Sequence, residues 1–209
     1  VGDFVYSKAF QLMANFDNPK IIRELANATN KISEGEVLQL SMKKKSNLSE
    51  EDYFNIIDRK TAELFKVSAV TAGILCECAK PEIDSLNNFA TSLGLAFQIQ
   101  DDILDYFGQE NLIGKKVGKD YEEGKFTLPI ILSLKTLNKT NKTKLLSLFE
   151  TRKIEDFAEI LALMESEKIL EQLQTTFTHY SNECINELEK LPHNQYRDAL
   201  QNIVRNLSS

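Results

Sequence analysis

Glycine, proline, cysteine and histidine are scarce in this chain of 209 residues, with 8, 4, 3 and 2 copies, and each scarcity removes a class of protein. With so few glycines and prolines, and long apolar–polar periodic runs between them, the chain has little turn chemistry for a many-stranded sheet, so the expected fold class is all-α. Cys76, Cys78 and Cys184 make neither a disulfide framework nor a zinc site, since the Cys76-x-Cys78 pair has no matching second pair. They read as reduced helix residues of a cytoplasmic protein. His179 and His193 lack the companions a metal site or catalytic triad would need, and Phe177, His179 and Tyr180 read as packing residues. No run approaches the roughly 18–20 uninterrupted apolar residues that span a bilayer. A net charge of −6 argues against nucleic acid as the main partner, and Lys43-Lys44-Lys45 reads as a solvated helix end.

What is present fits one globular domain over residues 1–209, with 42% hydrophobic and 27% charged residues. Helical spacing runs from about Asp3 to Asn15, and Asp17-Asn18-Pro19 breaks it and caps a second helix reaching about Met42. Within that helix Gly35 costs up to about 1 kcal/mol relative to alanine, which points to close packing or ligand approach. Ser49 reads as the cap of one long helix to about Cys78, and Pro81, Glu82 and Asp84 start another. Beyond Pro129, a polar surface connection is expected over Asn138–Lys142. Amphipathic helices are expected over Lys144–Glu150, Ile154–Met164, Lys168–Leu191 and Gln195–Leu207.

Residues 94–129, GLAFQIQDDILDYFGQENLIGKKVGKDYEEGKFTLP, concentrate the chemistry. At 100° per residue, Gly94, Gln98, Asp101 and Asp105 fall within about 60° of one another on a helix, with Asp102 beside them. Like charges at i,i+4 cost roughly 0.2–0.5 kcal/mol even on a bare helix, so three aspartates on one side call for a cation. Their ligand atoms are all oxygen, which suits a hard ion such as Mg²⁺ that keeps several waters and shares substrate phosphates. Lys115, Lys116, Lys119 and Lys125 would then meet the phosphates, and Ala90 and Gly94 would leave room for a ligand at the helix. The alternative is a solvated acidic helix end. Lys60 lies among the apolar positions Phe54, Ile57, Leu64, Phe65 and Val67, and a partly buried lysine needs an anion. A diphosphate beside the aspartates would serve, with the Thr61 hydroxyl as a neighbouring donor.

FQIQDDILDYFG followed by GKKVGKDYEEGKFTLP resembles the second aspartate-rich motif and following loop of the trans-prenyl diphosphate synthases. VGDFVYSKAFQLM, ATNKISEGEVLQL, Lys60-Thr61 and LPHNQYRDAL extend the likeness over nearly the whole chain, most nearly to the long-chain, octaprenyl branch. The resemblance implies an all-α bundle around a central cavity, Asp101, Asp102 and Asp105 as Mg²⁺ ligands, and Lys60, Thr61, Gln98, Lys115 and Lys125 at the allylic diphosphate. It also implies a cytoplasmic homodimer that adds isopentenyl diphosphate to an allylic diphosphate, with at most transient membrane contact. The family's first DDxxD motif has no counterpart here, and the chain opens at Val1 without a methionine. The expectation is therefore the C-terminal part of a longer synthase, with little turnover on its own. A non-catalytic helical subunit of a heteromeric synthase and a class I terpene cyclase are the alternatives.

Overall fold

The computed structural model describes residues 2–15, 18–42, 48–109 and 116–207, and among them every regular element is helical, as expected. Helix α1 (Gly2–Ala14) leads into α2 (Pro19–Met42) through Asn18, whose Oδ1 accepts from Lys20 N at 3.1 Å. That is the cap expected before Pro19. Helix α3 (Glu50–Ile57) starts with a reciprocal capping box: Asp52 N donates to Ser49 Oγ at 3.1 Å, and Ser49 N donates to Asp52 Oδ2 at 3.0 Å.

The long helix expected from Ser49 is not uniform. It opens into a π-helical turn over Asp58–Ala62, the segment that carries Lys60 and Thr61, and resumes as α4 (Glu63–Leu75). Such single-turn insertions in α-helices are frequent at functional sites. Two glycines on neighbouring helices make room for it. A Cβ on Gly35 of α2 would sit 2.8 Å from Lys60 N, and one on Gly94 of α5 (Lys80–Phe107) would sit 2.5 Å from Ala62 Cα. Gly35 thus serves close packing. Gly94, expected to leave room for a ligand, is instead filled by the backbone of the π turn, and Ala90 lies in an apolar cluster with Cys184 and Leu188.

The rest of the chain wraps α5. Short α6 (Lys119–Glu122) precedes α7 (Leu128–Thr136), α8 (Lys139–Thr151), a 3₁₀ turn (Ile154–Asp156), α9 (Phe157–Ser166), α10 (Ile169–Glu189) and α11 (Gln195–Asn206). The connection expected over Asn138–Lys142 is helical from Lys139 onward. Asn138 is its N-cap, with Oδ1 accepting from Asn141 N at 3.0 Å, so the polar run starts a helix rather than a loop. On α5, Ile99, Ile103 and Tyr106 pack with Leu128, Ile130, Met164 and Leu173 in the main core, where each fully buried aliphatic side chain contributes about 1.5–3 kcal/mol. Cys184 is buried, which raises its thiol pKa to about 12, and all three cysteines are free. Among the described residues no helix is long and apolar enough to cross a membrane.

A charged network ties α2 to α4 just past the π turn. Glu63 pairs with Lys31 at 2.9 Å and Lys66 at 3.0 Å, and Lys66 also pairs with Asp58 at 2.9 Å. Burial alone would raise the Glu63 pKa, but the bonds from Lys31 and Lys66 outweigh it and hold it below the ordinary 4.5. A depressed carboxyl pKa stabilises the fold above the unfolded value, and that contribution disappears as pH falls through the folded one. Glu63→Gln is therefore expected to lower stability at pH 7 by about 1–2 kcal/mol, because it leaves the half-buried Lys66 one anion short. The loss should shrink as pH falls below 4.5. Urea unfolding of both proteins across that range checks it; a pH-independent difference would refute the charge account.

Candidate functional site

A cavity of about 250 Å³ opens where α2, α3, the π turn, α5 and the segment after α6 meet. Lys60, Thr61, Gln98, Asp101, Asp102 and Lys125 all line it, so the structure brings together most of the residues singled out from sequence. Lys115 lies outside the described residues. Lys116 is exposed, and Lys119 is exposed and pairs with Glu123 at 3.8 Å.

The three aspartates of the motif have three different surroundings. Asp101 is half-buried and lines the cavity. Asp102 is fully buried: Gln98 Nε2 donates to its Oδ1 at 3.0 Å, while Tyr53 Oη and Leu128 N donate to its Oδ2 at 2.7 and 3.4 Å. Burial raises its pKa to about 7, the charge of Asp120 adds to the rise, and the bonds from Gln98, Tyr53 and Leu128 oppose it. Tyr53, itself buried beside Asp102, is held well above its ordinary pKa by burial first and the Asp102 charge second, so it stays a donor. Asp105 faces away along the chain. Its Oδ1 and Oδ2 accept from Lys119 N at 3.2 Å and Asp120 N at 2.9 Å, and its backbone oxygen accepts from Gly118 N at 2.7 Å. Asp105 therefore anchors the start of α6 and so places Asp120 at the cavity.

The two lysines at the cavity are held in the same manner. Lys60, with its side chain 32% exposed, donates to Gln39 Oε1 at 2.8 Å and pairs with Glu36 Oε1 at 2.9 Å. Lys125 pairs with Asp120 at 3.1 Å and Glu123 at 2.7 Å. Burial would lower the Lys125 pKa, but Glu123 and Asp120 outweigh it and keep the ammonium charged. Among the described residues two of the three ammonium donors are engaged in each case, so each lysine is pre-aimed with one donor remaining. Thr61 Oγ1 donates to Gln98 Oε1 at 3.1 Å.

The residues that sequence reasoning passed over are Asp120, Glu36, Gln39 and Tyr53. Asp120 stood in the quoted GKD, and Glu36 and Gln39 follow the conspicuous Gly35; Tyr53 gave no local signal, since its partner lies 49 positions away. The pairing of acidic and basic side chains around one cavity, in the order set by the DDxxD and GKD segments, can be compared with known proteins. A profile of the polyprenyl synthetase family matches residues 1–165. The chain belongs to the polyprenyl synthetase family. Within it, the chain is 36% identical over 201 residues to octaprenyl diphosphate synthase of Haemophilus influenzae, covering 96% of this chain and 61% of that protein. It is 34% identical to the all-trans-nonaprenyl-diphosphate synthase (geranyl-diphosphate specific) of Rhodobacter capsulatus, covering 98% and 63%. The crystal structure of a decaprenyl diphosphate synthase from Rhodobacter capsulatus superposes with a TM-score of 0.91 at 31% identity, covering 99% of this chain and 64% of that one. A polyprenyl synthase from Caulobacter crescentus CB15, complexed with calcium and isoprenyl diphosphate, gives 0.89 at 32% identity, covering 97% and 62%. The chain thus spans about six tenths of the length of these family members.

Whether the family's metal fits is decided by the donors at the cavity. Among the described residues no three His, Cys, Asp or Glu side chains form a ready-made cation cluster. Asp101 and Asp120 nonetheless present carboxylate oxygens to the same cavity, and oxygen-only donors in less than a full set suit an ion that completes its shell with water and phosphate.

Proposed function

We propose that the protein to which this chain belongs is a trans-polyprenyl diphosphate synthase, adding isopentenyl diphosphate to an allylic diphosphate, and that these residues supply the second aspartate-rich half of its site. The observation that carries the reading is that Lys60 and Lys125, each with two of its three donors engaged among the described residues, line one cavity together with Asp101 and Asp120. A relative that binds calcium and isoprenyl diphosphate agrees with it. Asp101 and Asp120 would hold Mg²⁺, which when bound supplies Lewis-acid chemistry at the diphosphate. The remaining donors of Lys60 and Lys125 take phosphate oxygens and, with Lys115, stabilise the charge that builds as the diphosphate leaves. The allylic carbon is then attacked by the double bond of isopentenyl diphosphate, and proton loss restores the alkene; no protein nucleophile is used. Asp102 and Asp105 act by holding Gln98 and Asp120 in place.

With one DDxxD motif in 209 residues, the chain by itself is expected to incorporate little labelled isopentenyl diphosphate. Incorporation at the rate of a complete synthase would overturn the assignment of a half-site. A homodimer is proposed from the apolar side chains left open on α1 and α2, among them Phe4 at 73% and Val37 at 67% exposure, with Leu12 and Leu40. Light scattering that finds only monomer at high concentration would count against it.

A further inference from the structure

We propose that Thr127 is a further diphosphate-binding residue of this site, its side-chain hydroxyl donating to a phosphate oxygen beside Lys125. The proposal rests on the diphosphate reading above. Thr127 is the N-cap of α7, with extended backbone at φ −93° and ψ 174°. A threonine in that position ordinarily turns its side-chain oxygen to accept from the second or third amide of the helix. Here it accepts from neither. The second residue is Pro129, which has no N–H to give, and the third, Ile130, is left alone. The helix makes no use of the hydroxyl.

The rest of the fold makes none either. Thr127 is 8% exposed, and its Oγ1, shut off from solvent, has no hydrogen-bond partner among the described residues. Tyr106 Oη approaches it without completing a bond and is likewise unpartnered. A buried hydroxyl left in this state is uncommon in a native fold, because it gives up its bonds to water for nothing. Among the described residues Thr127 is the one such group that lines the cavity. Lys125 lines it too, and Thr127 N donates to Lys125 O at 3.1 Å, a tight turn that ties the two together. Lys125 supplies the charge that draws an anion. Rotation about the Cα–Cβ bond of Thr127 then brings a donor with no competing claim to the same anion.

Calorimetric titration of the 209-residue chain with magnesium pyrophosphate, paired with urea unfolding, tests the idea. Thr127→Val keeps the shape and removes the hydroxyl. It is expected to weaken binding about ten-fold, the low end for a hydrogen bond to a charged group, while its urea midpoint stays level or rises. Thr127→Ser keeps the hydroxyl and should bind as the unsubstituted chain does. So should Tyr106→Phe, which removes the neighbouring hydroxyl that does not line the cavity. Unchanged binding in Thr127→Val, or an equal loss in Thr127→Ser or Tyr106→Phe, overturns the proposal while leaving the site assignment standing. A lowered urea midpoint in Thr127→Val overturns it as well, because the hydroxyl would then serve the fold. The site assignment falls separately, and this proposal with it, if Lys60→Ala binds magnesium pyrophosphate as tightly as the unsubstituted chain or the latter does not bind it at all.

Discussion

Gly94→Ala is expected to destabilise the protein by about 3 kcal/mol, the upper end of what one extra methyl costs in a packed interior. The sign is the telling part. In the middle of a helix the same substitution ordinarily gains up to about 1 kcal/mol, since alanine is the better helix former. Here the added Cβ would lie 2.5 Å from Ala62 Cα and 2.7 Å from Ala62 Cβ, distances at which something must move. What it meets is the backbone of the π turn, not the end of a flexible side chain. On its other side that turn already lies against α2, where a Cβ on Gly35 would approach Lys60 N to 2.8 Å, so it has nowhere to retreat. Urea unfolding monitored by circular dichroism decides the matter. Unchanged or increased stability would mean that the two helices separate easily, and the account of how Lys60 and Thr61 are held would fall with it.

The second large effect separates aspartates that the motif presents as equals. Asp102→Ala strands three donors, from Tyr53, Gln98 and Leu128, in a buried site. At about 1–3 kcal/mol for each orphaned group, and with some relief from removing a carboxylate that burial already disfavours, a loss of about 2–4 kcal/mol of stability is expected. Asp101→Ala is expected to change stability by under about 1 kcal/mol, as for a partly exposed position. Its cost should appear in ligand binding instead: about a hundred-fold weaker magnesium-dependent pyrophosphate affinity, the upper part of the range for one lost charge-assisted contact. Thermal unfolding and calorimetry on both variants give the comparison. If Asp101→Ala loses as much stability as Asp102→Ala while binding survives, the division of labour drawn from burial is wrong.

Much of this organisation could be read before any coordinates. The capping signals of Asn18 and Ser49 are local, depend on two or three neighbouring residues, and hold. Lys60 was expected beside a diphosphate; among the described residues its partners are Glu36 and Gln39 of α2 instead. Reading failed where the deciding neighbour is distant in sequence. Helical periodicity put Gly94, Gln98, Asp101 and Asp105 on one side of α5, but a face has length. Gly94 meets Ala62, Gln98 and Asp101 meet the cavity, and Asp105 meets the start of α6. The π turn has no compositional mark, because its i→i+5 bonding is imposed by tertiary packing on ordinary helix formers. Tyr53 was invisible for the same reason: its importance is a bond across 49 positions.

The π turn also acts as a phase adjuster. An α-helix advances 100° with each residue, so one residue absorbed in a wider turn lets the helix beyond it keep a different angular setting from the helix before it. Upstream, Tyr53, Ile56 and Ile57 point inward; downstream, Ala62, Glu63 and Val67 do. Deleting a single residue between Ile57 and Glu63 would let the wide turn close into an ordinary α turn with α3 and α4 keeping their settings, whereas inserting one more would rotate α4, turning Glu63 from Lys31 and the apolar face from α5. Insertions in this five-residue interval are thus expected to be more disruptive than deletions, although apart from Ala62 its side chains are only partly buried.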